Sequence, residues 1–177
     1  MNDLSLKGKL ITLSPLDVQY FENIYKWILN NDIEFLGNVK IKQKSDVYKI
    51  LSDTKFHIQL LMKSSNTGTV IGYICSYNFS KLDGYTYIKT FIESNEQEPE
   101  TIEAYNMFIN YLYTCFPIRK IYVEICSQNS KSLQEFKKLG FKLEATLKND
   151  TFFNGKYFDK NILALYKKDF YKQGDLK

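Results

Sequence analysis

The segment Asn129-Ser130-Lys131-Ser132-Leu133-Gln134-Glu135-Phe136-Lys137-Lys138-Leu139-Gly140-Phe141 is the most informative stretch of this 177-residue chain. Asn129 or Ser130 can cap a helix. Leu133, Phe136 and Leu139 give that helix one apolar face, and Gly140 suits the turn that closes it. Immediately upstream, Lys120–Cys126 is dense in β-branched residues and reads as a strand buried on both faces. Further upstream, Ile102, Tyr105, Ile109, Leu112 and Phe116 recur at helical spacing, with Pro99 suited to the first turn and Pro117 to the end. Downstream, residues 141–170 read as a hairpin turning at Asn154-Gly155, the strongest hairpin signal in the chain.

The N-terminal half completes the pattern. Residues 9–13 form a short strand. Ser14 caps a helix with Pro15 at its first position, Asp17 in its first turn, and Leu16, Tyr20, Ile24 and Ile28 on its apolar face. A weaker helix covers 45–51. Residues 56–62, 69–79 and 85–92 are three strands of a meander, separated by Ser64-Ser65-Asn66-Thr67-Gly68 and by Lys81-Leu82-Asp83-Gly84. The strand–helix–strand from Tyr85 to Cys126 predicts a parallel pair with a right-handed crossover; the other pairings are antiparallel. The fold class is α+β, a mixed and mostly antiparallel sheet with flanking helices, in one domain spanning 1–177.

Composition narrows the function classes. Apolar residues make up 44% and charged residues 25%, which excludes a disordered, collagen-like or coiled-coil chain. No apolar run approaches the roughly 20 residues of a membrane span. The opening Met1-Asn2-Asp3-Leu4-Ser5-Leu6 lacks the layout of a signal peptide, so the expected location is the cytoplasm. There are 24 Lys+Arg against 20 Asp+Glu, a net +4 too small to imply a polyanion partner. Arg119 is the single arginine, and base readout favours arginine, so DNA is not an expected partner. From Arg119 onward there are 13 basic and 7 acidic residues, but no stacking platform interleaves with them as an RNA-binding module would need. Cys75, Cys115 and Cys126 form no C-x-x-C pair, and His57 is the lone histidine, too few ligands for a structural metal site. Each cysteine lies in an apolar run, where it is expected to act as a small buried hydrophobe. The richness in lysine, asparagine and isoleucine hints at an AT-rich bacterial genome.

With these elements in order, the chain resembles a GNAT-family N-acetyltransferase, in particular the ribosomal-protein alanine acetyltransferase branch. The likeness rests first on Asn129-x-x-Ser132 followed by the short helix ending Lys138-Leu139-Gly140-Phe141. Asn154-Gly155-Lys156-Tyr157-Phe158-Asp159, Gly8-Lys9-Leu10-Ile11-Thr12-Leu13 and Trp27-x-x-Asn30-Asn31-Asp32 add to it. The resemblance implies acetyl-CoA as co-substrate, no metal, and a small-molecule or peptide amine as acceptor. It also implies that the parallel strands 85–93 and 120–126 splay to hold the cofactor. The implied cofactor-binding residues are Phe91, Ile92, Glu93, Asn129, Ser132 and Phe136. Glu93 is the candidate base, since a carboxylate at a strand end can take an ammonium proton. Ser132 is the candidate acid, because Phe136 stands where many family members carry a tyrosine. Glu34, Tyr87 and Asp159 are the candidate acceptor-side residues. A homodimer is the commonest assembly.

One stretch departs from the family pattern. The phosphate loop aligns with Ser94-Asn95-Glu96-Gln97-Glu98-Pro99-Glu100-Thr101-Ile102-Glu103, which has no glycine and no base. Pro99 lacks an N–H, and a glutamate facing phosphate is repulsive. The expectation is weakened acetyl-CoA binding. The alternative reading is a degenerate relative that binds a ligand or protein without acetyl transfer, or that takes its acyl group from a carrier protein.

Overall fold

The computed structural model describes residues 4–31, 44–93 and 98–174. Eight strands form one sheet: β1 (Leu6–Lys7), β2 (Ile11–Pro15), β3 (Phe56–Ser64), β4 (Val70–Ser80), β5 (Tyr85–Ile92), β6 (Lys120–Cys126), β7 (Lys142–Phe153) and β8 (Lys156–Tyr166). Their spatial order is β1-β2-β3-β4-β5-β6-β8-β7. Short turns join β1 to β2, β3 to β4, β4 to β5 and β7 to β8, and these pairs are antiparallel, as are β2–β3 and β6–β8. β5 and β6 are parallel, joined by a crossover containing α3 (Glu98–Cys115). The remaining helices are α1 (Phe21–Asn31), α2 (Lys44–Leu51), α4 (Ser130–Lys138) and α5 (Lys167–Gly174).

Strand alternation divides the core in two. On one face, Leu60, Ile88, Ile121 and Leu163 pack under Phe108, Ile109 and Leu112 of α3 and Phe136 of α4. On the other face, Leu61, Tyr73, Cys75 and Phe91 pack under Ile24, Trp27 and Ile28 of α1 and Val47 of α2. Each fully buried aliphatic or aromatic side chain contributes about 1.5–3 kcal/mol. The mixed α+β architecture expected from the sequence is the one observed.

Several local details differ from the sequence-based expectation. Pro15 ends β2, paired with Leu60, rather than opening a helix. The start is set two residues later, where the Asp17 side chain accepts the Gln19 N–H at 3.0 Å and caps a short 3₁₀ turn, Val18–Tyr20. The final hairpin stops at Tyr166, and Lys167–Gly174 is a helix. That helix forms because Phe170 packs on Tyr113 at a ring distance of 5.7 Å. Cys75 and Cys126 are buried as expected, but Cys115 is exposed, at the last residue of α3.

The glutamates of α3 also behave differently. Glu103 accepts the backbone N–H groups of Lys9, Leu10 and Ile11 at 2.9, 2.7 and 2.9 Å. Glu100 accepts the Ser64 hydroxyl at 2.7 Å. Both carboxylates therefore turn toward the β2–β3 end of the sheet and not toward a phosphate at the helix start. A Cβ on Gly8 would come within 2.6 Å of Glu103 Oε2, so only glycine lets the strand lead-in approach this carboxylate so closely. The glycine-free segment 94–97 lies outside the described residues.

Candidate active site

The parallel pair is a fork. It is in register at Tyr85↔Lys120, Thr86↔Ile121 and Tyr87↔Tyr122 and then parts. Beyond that point β5 stays with β4 as far as Gly72↔Ile92, and β6 stays with β8 as far as Cys126↔Lys160. Past Tyr87 and Tyr122 the ladder between β5 and β6 therefore ends, and residues 88–92 and 123–126 diverge.

One face of the fork is closed by helices. Tyr105 of α3 meets Phe136 of α4 edge-on at 5.0 Å, and Phe136 meets Phe141 at 5.2 Å. Burial pushes the Tyr105 phenol far above its ordinary range, opposed in part by the neighbouring Thr90 hydroxyl. Thr90 itself sits in β5, its buried hydroxyl lacking a partner of normal hydrogen-bond geometry. A parallel pair that parts after Tyr87 and Tyr122, with the buried Thr90 hydroxyl on the β5 side of the fork, fits an extended, amide-bearing arm such as the pantetheine of acetyl-CoA.

α4 is set by its own sequence. The Asn129 side chain accepts the Ser132 N–H at 3.1 Å and caps the helix. Gly140, at φ +89°, turns the chain out, so that Phe141 N–H returns to the Phe136 carbonyl at 3.0 Å. Ser132 is half-buried in the first turn and Phe136 is buried. In β5, Phe91 is buried against Tyr73, ring to ring at 5.9 Å, and Ile92 is half-buried. Glu93 is exposed just past the strand, its N–H on the Ile71 carbonyl at 2.9 Å. That places it about 20 Å along the strand from the point where the fork opens. Asp159 accepts the Lys148 ammonium at 2.8 Å and the Asn149 N–H at 3.0 Å, pinning an irregularity in β7. The lysine holds its carboxyl below the ordinary range, helped by that N–H. Glu34 lies outside the described residues.

The other face of the fork is polar and aromatic. Tyr77 (β4), Tyr85 and Tyr87 (β5) and Tyr122 (β6) are half-buried. Tyr87 and Tyr122 stack at 5.0 Å and 25°, Tyr77 leans on Tyr87 at 5.4 Å, and Tyr85 presents its edge to Tyr122 at 5.8 Å. Glu124 stands two residues past Tyr122 on the same face, about 7 Å along the strand. Its one hydrogen-bond partner among the described residues is the Tyr77 hydroxyl, at 3.3 Å. Burial raises the Tyr87 phenol, and the Glu124 charge adds to this. Lys120 lies beneath the Tyr122 ring at 4.4 Å with Glu144 at 3.1 Å. Burial of Glu144 opposes its ionisation, but the Tyr166 hydroxyl and Lys120 outweigh this and hold its carboxyl below the ordinary range.

Sequence reasoning reached Tyr87 but missed Glu124, because β6 was expected to be buried on both faces. The available signal was the alternation Lys120-x-Tyr122-x-Glu124, which marks one polar face within an apolar strand. Among the described residues, no three His, Cys, Asp or Glu side chains gather as a metal site, and no helix is long and apolar enough to cross a membrane.

The chain belongs to the GNAT acetyltransferase family: the acetyltransferase (GNAT) domain matches residues 13–162. No curated protein matches it in sequence. Among solved structures, the spermidine/spermine N-acetyltransferase SpeG from Vibrio cholerae is similar at TM-score 0.79 and 17% identity, over 94% of this chain and 99% of that one. The microcin C7 self-immunity acetyltransferase MccE, solved with acetyl-CoA and AMP, has TM-score 0.71 and 22% identity, over 90% and 93% of the two chains. A GCN5-related N-acetyltransferase from Brucella melitensis has TM-score 0.76 and 16% identity, over 96% and 81%. At such identities the likeness concerns the fold.

Proposed function

We propose that this GNAT-family protein is an N-acetyltransferase that acetylates a primary amine. The observation that carries the reading is the fork between β5 and β6, whose parallel ladder ends after Tyr87 and Tyr122. The similarity to spermidine/spermine N-acetyltransferases and to an acetyltransferase solved with acetyl-CoA supports an amine acceptor and this donor. The finer likeness to the ribosomal-protein alanine acetyltransferases, carried by Asn129-x-x-Ser132 and Asn154–Asp159, keeps a protein N-terminus beside small amines and amino sugars as acceptor.

Acetyl-CoA, when bound, supplies an acetyl thioester whose C–S bond breaks as the amine forms its C–N bond. Residues 88–92, including Phe91 and Ile92, offer their inner backbone edge to the extended arm. Asn129 fixes the first turn of α4 beside it, and Phe136 closes the gap from one side. Because α3 and α4 cover that side, the amine approaches from the tyrosine face, beside the part of it that α1 and α2 cover. Glu124 there takes the proton that the ammonium must lose, directly or through one water. It is preferred to Glu93, which stands at the far end of β5. Ser132 returns a proton to the departing sulfur.

Calorimetric titration with acetyl-CoA tests the donor. Saturation at 100 times the dissociation constant should stabilise the fold by about 2.7 kcal/mol. Micromolar affinity supports the reading despite the glycine-free residues 96–101. No binding up to millimolar acetyl-CoA overturns it and favours a carrier-protein donor or a non-catalytic role.

A further inference from the structure

We propose that the tyrosine face of the fork selects an acceptor whose ammonium is joined by a short arm to a planar aromatic group. This rests on the acetyl-transfer reading above and narrows its acceptor. The stacked Tyr87 and Tyr122 rings form a half-exposed aromatic surface, with Tyr77 and Tyr85 at its sides. A planar ring laid on them gains offset or edge contacts that a flexible polyamine cannot make. The charge arrangement points the same way. Lys120 is committed to Glu144, Lys160 to Asp150, and Lys89 extends over the Phe91 ring at 5.7 Å. Glu124 is left with the long Tyr77 contact, so among the described residues its carboxylate is the group available to an incoming cation.

Spacing sets the length of the arm. Glu124 lies about 7 Å from Tyr122 along β6, toward the open end of the fork. A ring over Tyr87 and Tyr122 therefore puts an ammonium on a two-carbon arm within reach of Glu124 and of the gap. Among the described residues, polyamines such as spermidine, which carry several cations, would find Glu124 here and no second carboxylate that is not already paired. Two sources share the required chemistry: a free arylalkylamine, and a peptide with an N-terminal aromatic residue.

The test compares phenethylamine, 2-cyclohexylethylamine, n-butylamine, spermidine and the peptide amide Phe-Ala-NH₂. Acetyl-CoA-dependent thiol release gives kcat/KM, and calorimetry gives amine affinity independently of turnover. Phenethylamine or the peptide should exceed both n-butylamine and the saturated-ring analogue by about tenfold in kcat/KM and in affinity. Whichever of the two is preferred identifies the source. In Tyr122→Leu and Tyr87→Leu, checked for folding by thermal melting, that ratio should fall to near one. Equal values for the aromatic and saturated amines, or a preference for spermidine, would overturn the proposal while leaving acetyl transfer intact. If acetyl-CoA does not bind, the transfer reading fails, and the amine affinities alone still decide the aromatic preference.

Discussion

Glu103 and Glu124 are carboxylates set on opposite faces of the same sheet, and their surroundings could hardly differ more. Glu103 is saturated by three backbone N–H groups and ties α3 to the lead-in of β2. Glu124, half-buried on the face that carries α1 and α2, has one weak phenol contact. A carboxylate with its lone pairs filled by the backbone is a structural clamp, while one with spare acceptor capacity beside an open cleft is available for proton transfer. The difference lies in what the fold brings opposite each group.

The comparison breaks first at the core that supports the clamped face. Phe108→Ala, at a fully buried position of α3, should cost about 3–5 kcal/mol of stability in denaturant unfolding. Next comes chemistry: Glu124→Gln should lower kcat/KM by about 10²–10³-fold with little change in melting temperature, while Glu93→Gln should lower it less than about threefold. Equal effects of the two would remove the contrast drawn here. Glu103→Gln should show the reverse pattern, losing about 1–2 kcal/mol of stability with activity retained at temperatures where the variant is folded.

The smallest effects belong to pH. The His57 ring stacks on Phe79 at 4.4 Å, its Nδ1 is buried without a partner, and burial lowers its pKa from the usual 6.5. The neutral form is favoured by folding, so this contribution is complete above pH 6.5 and is lost as pH falls through the lowered value. Asp159 and Glu144 also have depressed values, so their contributions disappear only at more acidic pH, below the ordinary carboxylate range. A melting-temperature profile from pH 7 to 3 should fall in two stages, and His57→Phe should flatten the upper one alone.

Much of this was legible in the chain because the signals are local. Asn129 caps the helix it precedes, Gly140 closes it, and Asn154-Gly155 turns β7 into β8 with both residues at positive φ. Where a signal had a competitor, the reading slipped. Pro15 suits a strand end as well as a first helical turn, and the Asp17 side chain settled the choice. The mostly polar run Lys167–Gly174 becomes a helix on the sheet because Phe170 finds Tyr113, a contact between residues far apart in sequence.

Local signals in the chain were enough for most of the elements, their order and the parallel strand pair, though not for the helix Lys167–Gly174, since periodicity, caps and turns are properties of neighbouring residues. Tertiary packing alone fixed where that pair parts, that Glu100 and Glu103 face the β2–β3 end, and that Tyr122 and Glu124 stay half-exposed beside the part of their face that α1 and α2 cover. Those outcomes depend on which strand edge finds a partner and which sheet face a helix covers. Both are set by long-range packing, which no short stretch of the chain specifies.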